Sequence, residues 1–555
     1  AEKDGIGLFD LKYHSFVRPL SGAYITYGKE SKLSLTKTNE INGMKAFEVG
    51  NCRYCNSLYI IGKIQRKEDD QMDYLLQNKE IDIYENYGND QYVKIDYFLL
   101  ENAINEDKEI LEEYSVCAKC GEIHVAGNLN AKKCKCGDVH QFTVYRVKQG
   151  KTIEEDSIYN NIAQCPCCGH KGKSGVVKAL NMGKDEGTAL IAQMLYEAID
   201  EGDQETKQCN KISLKPMSKV LDAPKEKKVK QYLAFSDSRQ QASFAAVFFD
   251  ANHVRMLRKR LIWEMIVQNG YRDMSVDELA SYLTELIKTK DLFHNHMGSH
   301  KNAWAAILVD LLRVDGAYDG EGLGLYYFDL DIHEILNELA DEEIEEEFAK
   351  YNCKMNKNEL NILMQVVLGV FKITPAINYV KSTLTPEEKR DVLGYRAFDN
   401  YVMFNCPKTT QGIRSFLPVK SDENRVVRYV KTVFGCTSEE AKTVLELVFS
   451  LLVQNSIDVS SEKILFKHQK KDAYQITASR YVIKNYKTSK FFQCSKCGRL
   501  TPYNLRGKCT RDKCTGILSE VNPDEALATN FYRNQYKEKK IESIVIQEHT
   551  AQLER

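Results

Sequence analysis

Leu233–Asp250 reads LAFSDSRQQASFAAVFFD, a short apolar run, a polar junction and a run rich in small and aromatic residues. Tyr232, Leu233, Ala234 and Phe235 have the look of a brief strand, while Ala242, Ala245, Ala246 and Phe249 recur at helical spacing. Ser238 with Gln241 three residues on fits a capping box, which starts a helix by satisfying its first free amides. A strand that delivers a helix N-terminus at its carboxyl end is where α/β sheets commonly hold anions, and Arg239 adds a permanent charge. A capped helix with a solvated arginine is the plainer reading of the same residues.

Downstream of this stretch the pattern stays helical. VRMLRKRLIWEMIV, VDELASYLTELI, AWAAILVDLLRV, IHEILNELADEEIEEEFAKY, LNILMQVVLGVF and AKTVLELVFSLLVQ are amphipathic, which predicts a helical region over 254–460. Residues 461–520 alternate from Ile464 to Ile483 and then reach a cysteine cluster, predicting a β element followed by a metal ribbon. Beyond it a helix is expected near Ala526–Tyr536 and a strand at Ile541–Ile546. Upstream, residues 1–50 are β-rich around FVRPLSGAYITY, 51–175 form a cysteine-rich module, and 176–230 supply a helix at Gly187–Ile199 and a polar linker. The fold class expected is multidomain, α/β plus α.

A chain of 555 residues implies two to four domains, and 77 Lys+Arg against 78 Asp+Glu leave no global charge to attract nucleic acid. The local runs KEKKVK (Lys225–Lys230) and DEEIEEEF (Asp341–Phe348) read first as solvated faces. No stretch approaches the roughly twenty apolar residues needed to cross a bilayer and no signal peptide opens the chain, so a cytoplasmic protein without membrane partners is expected. The chain begins at alanine and ends in EHTAQLER, and is expected to be a piece of a longer polypeptide.

Most of the seventeen cysteines fall in close pairs, which in a large chain without an export signal points to metal rather than disulfides. Two such turns close a tetrahedron of thiolates. Cys494, Cys497, Cys509 and Cys514 are the clearest set, of zinc-ribbon size. Cys117, Cys120, Cys134 and Cys136 form a second. Cys52 and Cys55 then pair across the intervening module with Cys165 and Cys168, with Cys167 an alternative ligand, so two to three structural zinc ions are expected. His124, His140 and His170 are left out of the ligand sets, and Cys209, Cys353, Cys406 and Cys436 read as small buried hydrophobes. Full thiol sets leave no position for a catalytic water. Arg499, Arg506, Lys508, Arg511 and Lys513 surround the last set and face either DNA or solvent.

Other motifs fail on inspection. GHKGKSG (Gly169–Gly175) is not a phosphate loop, because Cys167 stands where the first glycine is needed. HNHMGSH, with His294, His296 and His300, lacks the spacing of a catalytic zinc helix and reads as a surface turn. No nucleophile elbow and no H-x-E beside a cysteine pair is present.

LAFSDSRQQASFAA resembles the motif that opens the second RecA-like domain in large, cysteine-rich superfamily 2 helicases, relatives of the DEAD/DEAH-box enzymes. The same group carries FxRPLxG, matched by Phe16, Arg18, Pro19, Leu20 and Gly22; a CRxCG-LY-G segment, here CRYCNSLYIIG with Asn56 in place of glycine; and CxxCGxLTP, matched from Cys494 onward to Leu518. EHTAQL is matched by Glu548–Leu553. The helical region from about Val254 to Val459 has no counterpart in these motifs. The resemblance implies that 231–253 begins a second RecA-like domain, that 254–460 is a helical insertion, and that 521–555 resumes the domain. It implies DNA-backbone contacts at Ser236, Asp237, Ser238, Arg239 and Gln240, with Glu548, His549, Thr550 and Gln552 in another motif of the same domain. The phosphate loop, the DEAD/DEAH acids and the final arginine motif are absent from this sequence, so ATP and magnesium belong to a full-length parent and this segment alone is not expected to hydrolyse ATP. DNA is the implied partner, with phage-defence or repair proteins as further candidates. A non-enzymatic zinc-ribbon scaffold that binds nucleic acid or protein is the alternative reading.

Overall fold

The fold comes from a computed structural model that describes residues 2–3, 6–7, 22–27, 31–53, 57–67, 69, 71–77, 95–100, 111–128, 134–147, 162–167, 172, 175–180, 184–199, 239–295, 297–313, 318–394, 397, 399–406, 411–419, 422–454 and 464–544. Of residues 2–3, 6–7, 138, 184–190 and 239–245 it describes the backbone alone. Two compact units result: Ala1–His253 with Ile546–Arg555, and Val254–Val545.

The first unit is built on an eleven-stranded sheet whose main path runs Ile123–Val125, Leu111–Cys117, Gln141–Val147, Asp96–Leu99, Leu58–Arg66, Met44–Cys52, Ala23–Thr26 and Leu33–Ser34. Its pairings are antiparallel throughout. Because side chains alternate along a strand, the sheet supports a core on each face. Phe47, Val49, Ile60, Phe98, Val116 and Val144 pack on one side. Tyr59, Ile61, Leu99, Val147 and Ile162 pack on the other, together with Cys52 and Cys165. At Gly62 a Cβ would sit 2.4 Å from the Leu76 carbonyl oxygen, so the approach of Asp73–Gln77 to Leu58–Arg66 requires a residue with no side chain.

This sheet erases the boundary expected at residue 50. Met44–Cys52 runs through it as one strand, buried along most of its length, and pairs with Leu58–Arg66 inside the supposed cysteine module. The cysteines suggested a separate module, but they sit at the ends of strands whose hydrophobic alternation carries on past them.

The second unit mixes helices with three small sheets. Its helices start where side chains satisfy free amides: Ser275 before Val276–Lys290, Asn356 with Glu359 at Lys357–Ile373, Thr385 with Glu388 at Pro386–Leu393, and Asn424 before Arg425–Phe434. The amphipathic runs read from the sequence fall mainly on helices, the run over 332–351 being split between His333–Asn337 and Asp341–Ala349, and Ser299–Leu311 carries the buried Trp304. The expected separation of 254–460 from 461–520 does not exist in space, since Tyr481–Asn485 pairs along its whole length with Tyr326–Leu330. Gln365 fastens Lys357–Ile373 to that sheet, accepting from Leu330 N at 3.0 Å and donating to Leu330 O at 2.7 Å.

The helix expected near Ala526–Tyr536 is found as Pro523–Ala526 and Phe531–Glu538, whereas residues 541–544 form no strand. Phe531–Glu538 belongs to the second unit by its bonds. Arg533, 1% exposed, donates to Gly324 O at 2.7 Å and pairs with Asp524 at 2.8 Å, and Arg260 donates to Gln535 O at 3.0 Å.

Candidate metal centres

Two groups of four cysteines bring their sulfurs within 4.8 Å of one another: Cys117, Cys120, Cys134 and Cys136, and Cys494, Cys497, Cys509 and Cys514. Both can hold a metal ion. Four thiolates bound to one ion at about 2.3 Å stand about 3.8 Å apart at tetrahedral angles. The second group matches this: Cys494 Sγ lies 3.6 Å from Cys514 Sγ, and Cys497 Sγ lies 3.7 Å from Cys509 Sγ.

One local device builds the first turn of each group. CAKCG (Cys117–Gly121) and CSKCG (Cys494–Gly498) both close with the glycine amide donating to the first cysteine carbonyl, at 2.8 and 3.0 Å. Both glycines have left-handed backbone, φ +80° and +64°, which a side chain would strain. The first cysteine's amide then bonds across the turn, Cys117 N to Glu122 O at 2.8 Å and Cys494 N to Arg499 O at 3.0 Å. The repeat of C-x-K-C-G was visible in the sequence and marks the two turns as the same structure.

The thiols sense one another. Sulfhydryl donors on Cys509 and Cys514 hold the Cys497 thiol far below its ordinary range, and the Cys509 thiol is correspondingly pushed up. Contact with Cys497 pushes Cys514 up to about 11. In the first group burial raises Cys120, and it raises Cys134 to about 11. Against its own burial, Cys117 is lowered by the amides of Cys120 and Lys119. Four adjacent sulfurs that cannot all ionise unaided are the donor set a cation satisfies.

Around the first group, Gln141 Nε2 reaches Cys134 Sγ at 4.0 Å, while Ser115 Oγ donates to Gln141 Oε1 at 2.8 Å. His124 turns away from the thiols to Glu122, 2.8 Å off. Around the second group, Gly516 is pressed so close that a Cβ there would lie 2.3 Å from Cys494 Sγ. The arginines beside it are committed. Arg506 makes two bonds to Glu359 at 2.8 and 3.1 Å and lies 4.5 Å over the Phe434 ring, and Arg499 meets Glu321 at 3.4 Å. Asp512, between Cys509 and Cys514, receives a bidentate pair from Arg428 at 2.9 and 2.8 Å. The basic residues weighed for DNA thus include two that pair with carboxylates of the second unit, Arg506 on the helix Lys357–Ile373 and Arg499 on the turn at Glu321.

Of the third expected set, Cys52 and Cys165 are both fully buried in one cluster with Cys167 packed against it, and the Tyr59 hydroxyl lies 3.1 Å from Cys165 Sγ. Cys55 and Cys168 lie outside the described residues, as do Cys209, His170 and His296. Cys353 and Cys436, read as isolated, are buried neighbours: burial and then contact with Cys436 push the Cys353 thiol up. Nothing in a separation of 83 positions signals that meeting, which depends on how helices pack. His294 accepts or donates a 2.7 Å bond with Ser543, and Cys406 is buried as expected.

The nucleic-acid candidates Ser236, Asp237 and Ser238, and the motif residues Glu548, His549, Thr550 and Gln552, lie outside the described residues. Arg239 and Gln240 open a helix that runs Arg239–Gln268, and their side chains are not described. Among the described residues no helix is long and apolar enough to cross a membrane.

No curated protein and no solved structure matches the chain. The YjiV N-terminal domain family matches residues 33–181, a span that takes in most of the eleven-stranded sheet and the first thiol group.

Proposed function

We propose that both thiol tetrads bind zinc as structural ions, and that this chain is the zinc-braced central segment of an ATP-dependent superfamily 2 DNA helicase or translocase. The sulfur spacing of 3.6 and 3.7 Å carries the metal reading, because it fits one ion at zinc–thiolate distance. Four protein ligands leave no position for a reacting water, so the role is structural. Cys52 and Cys165, with Cys55 and Cys168 or Cys167, would supply a third ion. Elemental analysis of the purified chain tests this. Two zinc equivalents support the tetrads, three add the third site, and fewer than two reject the reading.

The helicase reading rests on the resemblance of the Phe235–Gln240 turn, the cysteine motifs and the EHTAQL segment, and on the helix that opens at Arg239. On this reading Ser236–Gln240 contact DNA phosphates, which supply affinity without sequence information. ATP and magnesium would be held by motor motifs of the parent. Arg239→Ala in that parent should weaken DNA binding and lower the slope of log affinity against log salt by about 0.9 for a duplex. An unchanged slope would reject the contact. The carboxylate-paired Arg499 and Arg506 favour a second reading, in which the C-terminal tetrad organises the protein rather than touching a strand. An intact metal scaffold whose parent shows no DNA-stimulated ATP hydrolysis would decide for the non-enzymatic scaffold.

A further inference from the structure

In the second unit three arginines from separate elements gather beside the C-terminal tetrad. Arg313 follows the helix Ser299–Leu311, Arg425 opens the helix Arg425–Phe434, and Arg499 follows the first cysteine turn. Arg313 takes a left-handed backbone, φ +53°, that a large side chain rarely adopts, so its placement is imposed by its surroundings. It bonds Asp319 at 2.7 Å and Glu321 at 3.0 Å, and Arg499 shares Glu321 at 3.4 Å.

Arg425 is treated differently. Among the described residues no carboxylate lies within ion-pairing distance of it, and its guanidinium makes one long bond, to Thr510 O at 3.4 Å. Asp512, whose charge reaches Arg425, is taken in bidentate fashion by Arg428. Arg499 and Arg313 are within electrostatic reach of Arg425, as are the carboxylates of Asp512 and Glu321, and Lys372 is within reach of Glu321. Only Arg313 and Arg499 bond carboxylates directly, Asp319 and Glu321 between them, while Arg425 bonds none among the described residues. The cluster stays partly open to solvent, with the Arg313 and Arg499 side chains 19% and 26% exposed and Arg425 half-buried.

We infer that Arg425, Arg499 and Arg313 form a binding site for a phosphoryl oxyanion, with Arg425 as its principal donor. Guanidinium forks carried by three separate elements suit a tetrahedral group with several charged oxygens better than a planar carboxylate. Such a ligand would supply the missing negative charge where the cysteine loops dock on the helices, and so would couple its binding to that docking. The inference does not depend on the helicase reading. The phosphoryl group can be free phosphate or the backbone of a nucleic-acid strand.

The test uses the full metal-loaded chain. Thermal unfolding is followed against inorganic phosphate, and against chloride at matched ionic strength. Phosphate should raise the melting temperature in a saturable manner that chloride does not reproduce. Arg425→Gln should weaken phosphate binding about tenfold or more while zinc content is unchanged. Glu321→Gln, which removes a competing carboxylate, should tighten phosphate binding several-fold, a gain that a folding defect cannot imitate. Equal responses to phosphate and chloride, or wild-type affinity in Arg425→Gln, would overturn the site, as would unimproved binding in Glu321→Gln. A twelve-residue single-stranded oligonucleotide added in competition separates the sources: displacement of phosphate assigns the site to a nucleic-acid backbone, and none assigns it to free phosphate or a phosphomonoester.

Discussion

The two thiol tetrads share a first turn but stand on different ground. Cys117, Cys120, Cys134 and Cys136 cap a pair of long strands whose sheet is held by apolar cores on both faces. Cys494, Cys497, Cys509 and Cys514 join three short strands where the cluster around the sulfurs is Leu518 with Phe492 alongside, and where Phe491, Leu500 and Leu505 are the other buried apolar residues. In the first case the ion would finish a structure that burial already stabilises. In the second it would replace the burial, because a few dozen residues cannot remove enough apolar surface from water to hold themselves. The same motif can therefore be an accessory in one place and a foundation in another, and what decides is the apolar residues around it.

The strongest way to break this contrast is Cys497→Ser. It should remove one zinc equivalent and abolish amide protection across residues 491–521, since metal binding in small zinc modules is worth about 10–16 kcal/mol and doubles as folding energy. Hydrogen exchange that leaves this segment protected would show that the tetrad is not its foundation.

Next in size is the clamp on the C-terminal helix. Against partial burial, hydrogen bonds from Lys537, Arg533, Tyr486 and Lys487 hold the Asp524 carboxyl well below the usual carboxylate range. Asp524→Asn should cost about 2 kcal/mol at neutral pH, the scale of charge-assisted hydrogen bonds to a buried arginine. A folded pKa below the unfolded value of about 3.9 gives stability that is complete above that pH and is lost as the pH falls toward the folded value. The gap between wild type and variant in urea unfolding should therefore be constant from pH 7 to 5 and shrink below about 4. A gap that widened in acid would contradict the assignment.

Arg506→Ala should cost about 1 kcal/mol, because its bonds to Glu359 are partly exposed, with side chains 39% and 25% accessible. Faster exchange near residues 505–509 with zinc retained would separate docking of the loops from their metal-held shape. The smallest effect is expected of Cys120→Ser. One zinc equivalent should go, but faster exchange should stay within residues 117–141 while Met44–Cys52 and Leu58–Arg66 remain protected. Loss of protection in those strands would make the two tetrads alike.

Much of this was legible before any coordinates. C-x-K-C-G announces a turn that gathers thiols, and the 3.6-residue recurrence in LNILMQVVLGVF and AKTVLELVFSLLVQ gives helices because local periodicity reports which face is buried. Domain limits were not legible. Tyr481–Asn485 looks like the start of a new β module, yet its partner is Tyr326–Leu330, some 150 residues earlier in the chain; no sequence pattern encodes which distant strand completes a sheet. The roles of Arg499 and Arg506 were hidden for a similar reason, since a cation reads alike in sequence whether it meets DNA or an acid such as Glu321 or Glu359 brought close by folding.

The tight packing of Gly516 against Cys494 has a practical corollary. With only 2.3 Å between a hypothetical methyl carbon and the sulfur, alanine at this position would contest the very space the ligand atom occupies. All four donors would survive in the gene while their geometry failed, so Gly516→Ala offers a means of emptying one centre without altering its chemistry. It would also separate the consequences of losing an ion from those of losing a thiol.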